Sequence, residues 1–385
     1  DCGPEPELLE DLLKLRQEGI IDLIENDRNV GFVASVNRGM AYSTRNDVVL
    51  LNSDTLVPAF WLDRLYSAAY KDQRTGTVTA VSNNATICSI PTIGGSSVLP
   101  FGSDLQTIDR VCREKNSGVT IELPTAHGFC MYIKRDTISD VGLFDVEAFG
   151  KGYGEENDFS LRAAAKGWRN VAACDVFVQH LGSVSFGVDS LGLTARNLEI
   201  IAGRYPDFHR QVMDFIYNDP MSEVRNRVQL AFWANKKIIV MISLRIGGGV
   251  ARHIEESART LVSDGYFPLL LTRGEPGSRQ AYVIKALAEG ESGELRFPEG
   301  PNALVKAFSN LISISPIALH VHHQLDLSPS VTDLIRNSGI PFQVVLHDFF
   351  HVCPRVTLLD SRSQYCGLPS SSKCTRCIKR NGSHE

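Results

Sequence analysis

The chain has 385 residues, of which 43% are hydrophobic and 22% are charged, and its formal net charge is −5. This length exceeds that of one ordinary domain, so we expect two domains, and the composition excludes a disordered chain. The slight acidic excess excludes the electrostatic footprint of a nucleic-acid-binding protein.

Two further features bear on the cellular compartment. No apolar run approaches the roughly 20 residues that are needed to span a bilayer. The nine cysteines are odd in number and spread along the chain, which favours a reducing compartment over a disulfide framework. We therefore expect a cytoplasmic protein, with peripheral association with the inner face of the membrane as the other location.

The first half of the chain alternates short apolar runs with helical patterns. Its order predicts a mostly parallel sheet whose faces are covered by helices. Helices are predicted over 4–19, 31–43, 58–72, 155–168, 194–218 and 222–234, and strands over 21–26, 47–54, 77–84, 126–138 and 171–180. Residues 85–118 are rich in Gly, Ser, Thr and Pro and predict a long surface excursion.

The pattern restarts at Lys236. The strand runs KKIIVMISL, YFPLLLTRG, IALHVHHQ and FQVVLHDF alternate with the helical patterns VARHIEESARTLVSDG and VTDLIRNSG, which predicts a second open α/β unit. We expect a first domain over 1–215, a helical connector over 216–235 and a second domain over 236–385. The first strand of the first domain is expected to be missing before Asp1, so the chain is interpreted as a fragment.

The strand VVLL ends in the sequence NSDT, which contains Asp54. Ligands of open α/β sheets bind beyond the carboxyl ends of strands, and a hard divalent cation prefers carboxylate oxygens. Asp54 is therefore a candidate metal ligand. The alternative is that Asp54 opens a turn or caps a helix, because Asp and Thr are favoured there.

Two other segments carry candidate chemistry. The run EEND at 155–158 opens a helix, and closely spaced carboxylates can tune a general base. The alternative is that these acids stabilise the helix dipole. Two glycines, Gly152 and Gly154, suit a backbone that approaches a ligand. His180 ends a strand, where a histidine is a metal ligand only beside carboxylates and is otherwise structural.

Together these segments resemble family-2 glycosyltransferases of the GT-A fold. In that family an NxGFxxAxNxG stretch precedes the strand that carries a DxD-type metal motif. The corresponding residues here are Asn29, Gly31, Phe32, Asn37 and Gly39, followed by LNSDT. Asn52 stands where many relatives have the first Asp of the motif.

The resemblance implies a role for each site residue. Asp54 and His180 would bind Mn²⁺ or Mg²⁺ on the diphosphate of a nucleotide sugar. Glu156 would be the catalytic base, and its near neighbour Asp158 is also a candidate catalytic residue. Asp1 resembles the acid that reads the nucleotide base. The nucleotide-sugar-binding residues would be Asp1, Asn29, Gly31, Asn37, Asn52 and Asp54. Because no covalent intermediate is needed, the expected reaction inverts the anomeric carbon.

The second half resembles the N-terminal Rossmann-like lobe of a GT-B, family-4-like glycosyltransferase. Gly247, Gly248 and Gly249 open a helix and would expose N–H groups to an anion. His322, His323, His347 and Asp348 would face a cleft, or would be strand-end groups that the backbone satisfies. We expect this half to be inactive alone.

The tail contains four cysteines, Cys353, Cys366, Cys374 and Cys377. Four thiols with a closing CxxC can hold tetrahedral Zn²⁺. These four residues are therefore a candidate structural zinc site, with a redox pair as the alternative.

The leading interpretation is a metal-dependent glycosyltransferase. It would move a sugar from a nucleotide-diphosphate sugar to a hydroxyl of a glycan or lipid-linked glycan, as in polysaccharide biosynthesis. One alternative is a non-catalytic fragment that binds nucleotides or sugars. Another is a metal-dependent hydrolase that uses the His-rich second half, which would need a compact cluster of ligands with an open metal position.

Overall fold

The computed structural model describes residues 6–96, 98–150, 152–182, 190–245, 247–288, 293–324, 327–350, 352–353, 355–367 and 369–383. The chain divides into two compact units, Asp1–Val224 and Arg225–Glu385. No helix within these described ranges is long and apolar enough to cross a membrane. Asp1, which was predicted to contact the nucleotide base, lies outside them.

A sheet forms the centre of the first unit. The strands are β1 (Val48–Leu51), β2 (Thr55–Leu56), β3 (Thr75–Ser82), β4 (Thr120–Glu122), β5 (Cys130–Ile133) and β6 (Arg169–His180). Their order in the sheet is β1-β5-β3-β6-β2, and β4 pairs with β6 as an additional antiparallel strand.

The prediction of a mostly parallel sheet is wrong. Among the described strands of this unit, β3 and β6 are the only parallel neighbours, and all other pairs are antiparallel. The two central strands are almost continuously buried, as in a parallel sheet. The others are short strands that return beside them, and the expected strand over 21–26 has no strand structure.

Some of the helices up to Trp233 contact this sheet, and those that were predicted lie close to their predicted positions. Their bounds are α1 (Pro6–Gln17), α2 (Phe32–Tyr42), α3 (Trp61–Tyr70), α4 (Leu105–Lys115), α5 (Arg135–Val141), α6 (Val146–Phe149), α7 (Glu155–Ala165), α8 (Ser190–Arg204), α9 (Phe208–Asn218) and α10 (Ser222–Trp233). A short 3₁₀ turn covers Pro100–Gly102.

The region 85–118 is not a surface excursion. It contains α4, whose N-terminus is capped by Asp104 through a hydrogen bond from the Thr107 N–H. Leu105, Ile108 and Val111 are buried at helical spacing, so this helix contributes to the core. The Gly, Ser, Thr and Pro content concealed a short amphipathic pattern.

The second unit contains another sheet, with strand order β10-β9-β8-β7-β11-β12. Strands β8, β7, β11 and β12 are parallel neighbours, as an open α/β unit requires. The β9–β10 hairpin adds an antiparallel edge that was not predicted. The strands are β7 (Ile238–Ile242), β8 (Phe267–Arg273), β9 (Gln280–Ala286), β10 (Glu294–Pro298), β11 (Ala318–Val321) and β12 (Phe342–Val344).

Helices α11 (Gly249–Ser263), α12 (Ala303–Ser313), α13 (Val331–Asn337) and α14 (Ser371–Asn381) complete this unit. Trp233, at the end of α10, packs with Phe267 and Phe308 in a large apolar cluster. The strand order changes direction at β7, whose neighbours are the next strand on one side and β11 on the other. Such a reversal creates a crevice at the carboxyl ends of the strands.

Candidate active site

Asp54 and His180 lie together at one end of the first sheet. Asp54 follows β1 in a tight turn, and β2 then pairs with the end of β6, so that Thr55 is opposite His180. Asp54 Oδ2 is 3.3 Å from His180 Nε2, and both side chains are largely buried. Asp54 Oδ2 also accepts a hydrogen bond from the Gly182 N–H at 3.1 Å. The structure therefore places the two predicted metal ligands side by side.

The turn after β3 fixes the orientation of the His180 ring. His180 Nδ1 is 2.7 Å from the carbonyl oxygen of Asn84. A carbonyl only accepts, so Nδ1 carries a proton and Nε2 is the ring nitrogen that faces Asp54. The Asn83 side chain bonds both the N–H and the carbonyl of His180. Metal-binding histidines typically donate their second N–H to such a partner, so this arrangement fits a metal ligand.

Residues 125–129 connect this corner with helix α7. Phe129 stacks on the His180 ring, with 5.1 Å between ring centroids, and its carbonyl accepts from the Asn52 N–H. On the other side, a Cβ on Gly128 would lie 4.0 Å from Glu156 Cγ. The same short segment therefore contacts His180 and Asn52 and lies near Glu156.

A pair of acids opens α7. Burial and the charge of Glu156 raise the pKa of Glu155, and burial raises the pKa of Glu156. The Oε2 atoms of both residues are shielded from solvent and have no hydrogen-bond partner among the described residues. An unsatisfied buried acceptor is costly. The pair is therefore suited to hold a proton or to accept one from a bound hydroxyl.

The two glycines before this pair have packing roles. Gly154 caps α7 at φ +109, and a Cβ there would lie 3.0 Å from Phe149. Gly152, at φ +118, contacts Phe32. Both positions require glycine because of their backbone conformation, so their presence does not by itself indicate a ligand.

Asp158 belongs to an ion network rather than to the acid pair. Its fully buried carboxylate accepts from Arg162 Nε at 2.7 Å, from Arg204 Nη1 at 2.9 Å and from the Tyr205 hydroxyl at 2.9 Å. Arg204 extends the network to Asp145. These contacts tie α7 to α8 and differ from the catalytic role expected from the sequence.

The residues of the N-terminal motif are placed by backbone contacts. Asn29 accepts from the Gly31 N–H at 2.9 Å, and Gly31 caps α2 at φ +83. Asn37 pairs through both side-chain atoms with the backbone of Phe144. Asn37 therefore has a structural role in holding α2, and nucleotide binding by these residues stays a prediction.

The sequence reasoning missed four residues that shape the site: His127, Phe129, Asn83 and Asn84. Burial and the nearby His180 lower the pKa of His127 to about 4, so this ring is neutral. The SNN run at the end of β3 was a usable signal, because polar residues at the carboxyl end of a central strand face the same edge as Asp54.

In the second unit, histidines gather at the carboxyl ends of β11 and β12. His322 Nδ1 lies 3.1 Å from His347 Nε2, and His253 from α11 completes a group whose ligand atoms lie within 4.8 Å of one another. His323 instead pairs with Asp348 at 3.1 Å. His253 was not predicted, because nothing in its local sequence relates it to the strand ends.

Gly247 and Gly248 precede α11, and Gly249 is its first residue. A Cβ at Gly247, Gly248 or Gly249 would meet nothing within 4 Å among the described residues, and Gly248 caps the helix at φ +98. A separate cavity of about 420 Å³ lies beside β7 to β10 and is lined by charged groups that include Arg245, Glu275 and Glu294. Neither the glycines nor the predicted histidines line it.

The structure does not bring the four cysteines of the candidate zinc site together. All four are free thiols, and Cys374 and Cys377 lie on α14. Among the described residues, the one group of three or more potential metal ligands whose ligand atoms lie within 4.8 Å of one another consists of histidines. The closing CxxC is a helical i, i+3 pair, and the two other thiols do not converge on it.

Residues 4–141 match the family model of Glycosyl transferase family 2. This segment contains Asp54 and ends before Glu156 and His180. No curated protein matches the chain.

The solved structures that are similar to the chain include two glycan-related transferases whose names state their ligands. The mannosyltransferase PcManGT from Pyrobaculum calidifontis, in complex with GDP-Man and Mn²⁺, is 18% identical with a TM-score of 0.38, over 68% of this chain and 70% of that one. GalNAc-T7 with UDP, GalNAc and Mn²⁺ is 12% identical with a TM-score of 0.38, over 76% of this chain and 59% of that one.

Proposed function

We propose that the first unit is an inverting, divalent-metal-dependent glycosyltransferase that uses a nucleotide-diphosphate sugar as donor. The observation that carries the proposal is the contact between Asp54 Oδ2 and His180 Nε2 at 3.3 Å. The carbonyl of Asn84 accepts the Nδ1–H of His180 and leaves Nε2 as the ring nitrogen that would bind the metal. The family match over residues 4–141 supports the same reaction class.

Asp54 and His180 would hold Mn²⁺ or Mg²⁺. A carboxylate oxygen suits either hard cation, and an imidazole nitrogen favours Mn²⁺. When bound, the ion supplies Lewis-acid stabilisation of the negative charge that develops on the departing nucleoside diphosphate. The Gly182 N–H on Asp54 Oδ2 positions this carboxylate, so the ligand geometry is set before the donor binds.

Glu156 would serve as the general base. The acceptor hydroxyl attacks the anomeric carbon as the bond to the diphosphate breaks, and its proton moves to Glu156. The pKa of Glu156 is raised by burial, which makes its carboxylate a stronger base. Glu155 would carry the proton that the two acids share, because its own pKa is raised both by burial and by Glu156. A single displacement inverts the anomeric centre.

The segment 125–129 would couple donor and acceptor binding. Phe129 stacks on His180 and Gly128 lies near Glu156, so a donor held at Asp54 and an acceptor held near Glu156 would share one wall. Asn52, bonded through its N–H to the Phe129 carbonyl, would lie beside the donor. The acceptor would be a hydroxyl of a glycan or a lipid-linked glycan.

The second unit would be a Rossmann-like lobe similar to the N-terminal lobe of GT-B enzymes. Its support is the parallel core β8-β7-β11-β12 and the open, glycine-started α11. It would not transfer sugar alone.

A thermal-shift panel of UDP, dTDP and GDP, each with and without Mn²⁺, tests the proposal. A ligand that binds only the native state raises the melting temperature by mass action, by about 2.7 kcal/mol of stability at 100 times its Kd. We expect a shift with one nucleotide that requires Mn²⁺ and disappears in Asp54→Ala. Asp207→Ala, which removes an exposed carboxylate, should keep the shift. A metal-independent shift, or the absence of any shift, contradicts the donor site.

A further inference from the structure

Three histidines from separate elements meet at the edge of the second sheet. His322 directly follows β11, His347 follows β12, and His253 lies early in α11, the helix that follows β7. Strands β7, β11 and β12 are parallel neighbours, so their carboxyl ends share one edge. The sheet reverses its strand order at β7, and crevices at such reversals are where open α/β sheets bind ligands.

The distances within this group suit a common ligand. His322 Nδ1 and His347 Nε2 are 3.1 Å apart. An ion about 2.0–2.1 Å from both nitrogens would see them at roughly 100°, close to a tetrahedral angle. One nitrogen of His253 lies within 4.8 Å of both partners. His253 is exposed, so a change of side-chain rotamer can bring it closer.

The His322 ring is buried beside its proposed partner. It is 2% exposed, and its Nδ1 lies beside His347 Nε2. When an ion binds one nitrogen of an imidazole, the proton stays on the other. Binding at Nδ1 would therefore place the proton on Nε2, which has no hydrogen-bond partner among the described residues.

The neighbouring acid does not belong to this group. Asp348 Oδ2 is 3.1 Å from His323 Nε2, and Asp348 Oδ1 accepts from the Phe350 N–H. The described residues of the group are imidazoles alone. Imidazole suits Zn²⁺, Co²⁺, Ni²⁺ and Cu²⁺, whereas Mg²⁺ and Ca²⁺ require oxygen ligands.

We propose that His253, His322 and His347 form a binding site for a divalent transition-metal ion, with zinc as the expected occupant. Three protein ligands leave a fourth position for water or for a ligand atom, which is the arrangement of catalytic rather than structural zinc. The site is independent of the transferase proposal, because its ligands belong to the second unit and its ligand type differs from that of Asp54 with His180.

Titration with Co²⁺ tests the proposal and reports on the ligands. The protein is the full chain without an affinity tag, stripped of metal, in an Asp54→Ala background that weakens the first site. We expect one equivalent of Co²⁺ with the visible bands of a four-coordinate ion and without the intense near-ultraviolet band of a thiolate ligand. Zn²⁺ should displace it.

A matched pair of variants then assigns the ligands. His253→Ala removes an exposed ligand and should keep the fold, as judged by circular dichroism. Its affinity for Co²⁺ should fall about tenfold or more, because even the loss of outer partners of a metal ligand costs about 10- to 100-fold. His209→Ala removes an exposed imidazole from α9 and should change nothing. Equal affinities in the two variants, a thiolate band, or no stoichiometric binding would overturn the proposal.

Discussion

His180 donates its Nδ1–H to the carbonyl oxygen of Asn84 at 2.7 Å, and this hydrogen bond directs Nε2 toward Asp54. The atom that accepts this hydrogen bond belongs to the backbone of the turn that follows the central strand β3. The ring orientation therefore depends on the fold itself rather than on another side chain that can rotate. A site arranged in this way loses little entropy when it binds an ion.

His180→Ala should weaken Mn²⁺-dependent nucleotide binding. It removes one of two proposed ligands, so the concentration of Mn²⁺ that gives half of the thermal shift should rise about 10- to 100-fold. Titration of Mn²⁺ at a fixed, saturating nucleotide concentration measures this. The His209→Ala variant provides the control for loss of an imidazole. An unchanged Mn²⁺ requirement would exclude His180 from the metal site.

Gly182→Ala should damage the same site by a different route. Gly182 has φ +68, and a Cβ there would lie 2.2 Å from Asn84 Nδ2. Displacement of Gly182 should lengthen the hydrogen bond from its N–H to Asp54 Oδ2 and raise the Mn²⁺ requirement. Gly118→Ala is a matched control. Gly118 has φ +63, an added Cβ there would meet no described atom within 4 Å, and its N–H also donates to a carboxylate, that of Asp175.

Both glycine variants should lose stability, since Ala at positive φ costs about 1 kcal/mol or more, and Gly182→Ala should lose more because its Cβ also meets Asn84. Thermal unfolding without ligand measures the loss of stability in each variant, and the Mn²⁺ titration measures the change in metal binding at Asp54. If both variants bind Mn²⁺ equally well, the contact with Asn84 is not important for the site.

Glu156→Gln should abolish transfer while leaving donor binding intact. The amide is nearly isosteric and cannot accept the proton of the acceptor hydroxyl, so kcat should fall about 10²- to 10⁴-fold. Glu155→Gln should have a smaller effect, because Glu155 supplies a proton to the pair rather than taking one from the acceptor. Release of the nucleoside diphosphate measures both rates. Equal losses in the two variants would contradict the separate roles.

The pH dependence of stability offers a further test of the acid pair. Burial raises the pKa of Glu155 above its unfolded value, so the folded state retains a proton that the unfolded chain releases. The stability associated with this protonated carboxyl is complete below the unfolded pKa and is lost as pH rises toward the folded pKa.

Glu155→Gln should therefore raise the melting temperature, and the gain over the parent protein should grow between about pH 5 and pH 9. Calorimetry over this range measures it. A gain that is constant with pH would show that the amide acts through packing rather than through removal of the titrating group.

The sequence predicted the elements that carry the first site but not how they are joined. Helix α7 and strand β6 were located because their apolar patterns are long, and the roles of Asp54 and His180 followed from a family resemblance. The antiparallel pairing was missed because short strands such as β4 give weak periodic signals. Helix α4 was missed because its apolar spacing lies within a stretch rich in turn-forming residues.

Contacts between distant residues were the least predictable part. His253 is brought to His322 by a helix and a parallel strand order that no local pattern specifies. Asp158 illustrates the converse: its position beside Glu156 suggested catalysis, and only the fold brings Arg204 and Tyr205 to it. Adjacent residues on a helix start face different directions, so sequence proximity does not imply a shared role.

Asp158→Asn should destabilise the first unit without a specific loss of chemistry. The carboxylate is 1% exposed and pairs with Arg162 and Arg204, and removal of one partner from a buried ion network costs about 3–5 kcal/mol. Asp207→Asn breaks an exposed pair with Arg210 and should cost at most about 1 kcal/mol. Urea unfolding measures both. A residue that acts only through the fold changes the amount of native enzyme and not the turnover of each native molecule. If fully folded Asp158→Asn loses as much kcat as Glu156→Gln, Asp158 takes part in the reaction.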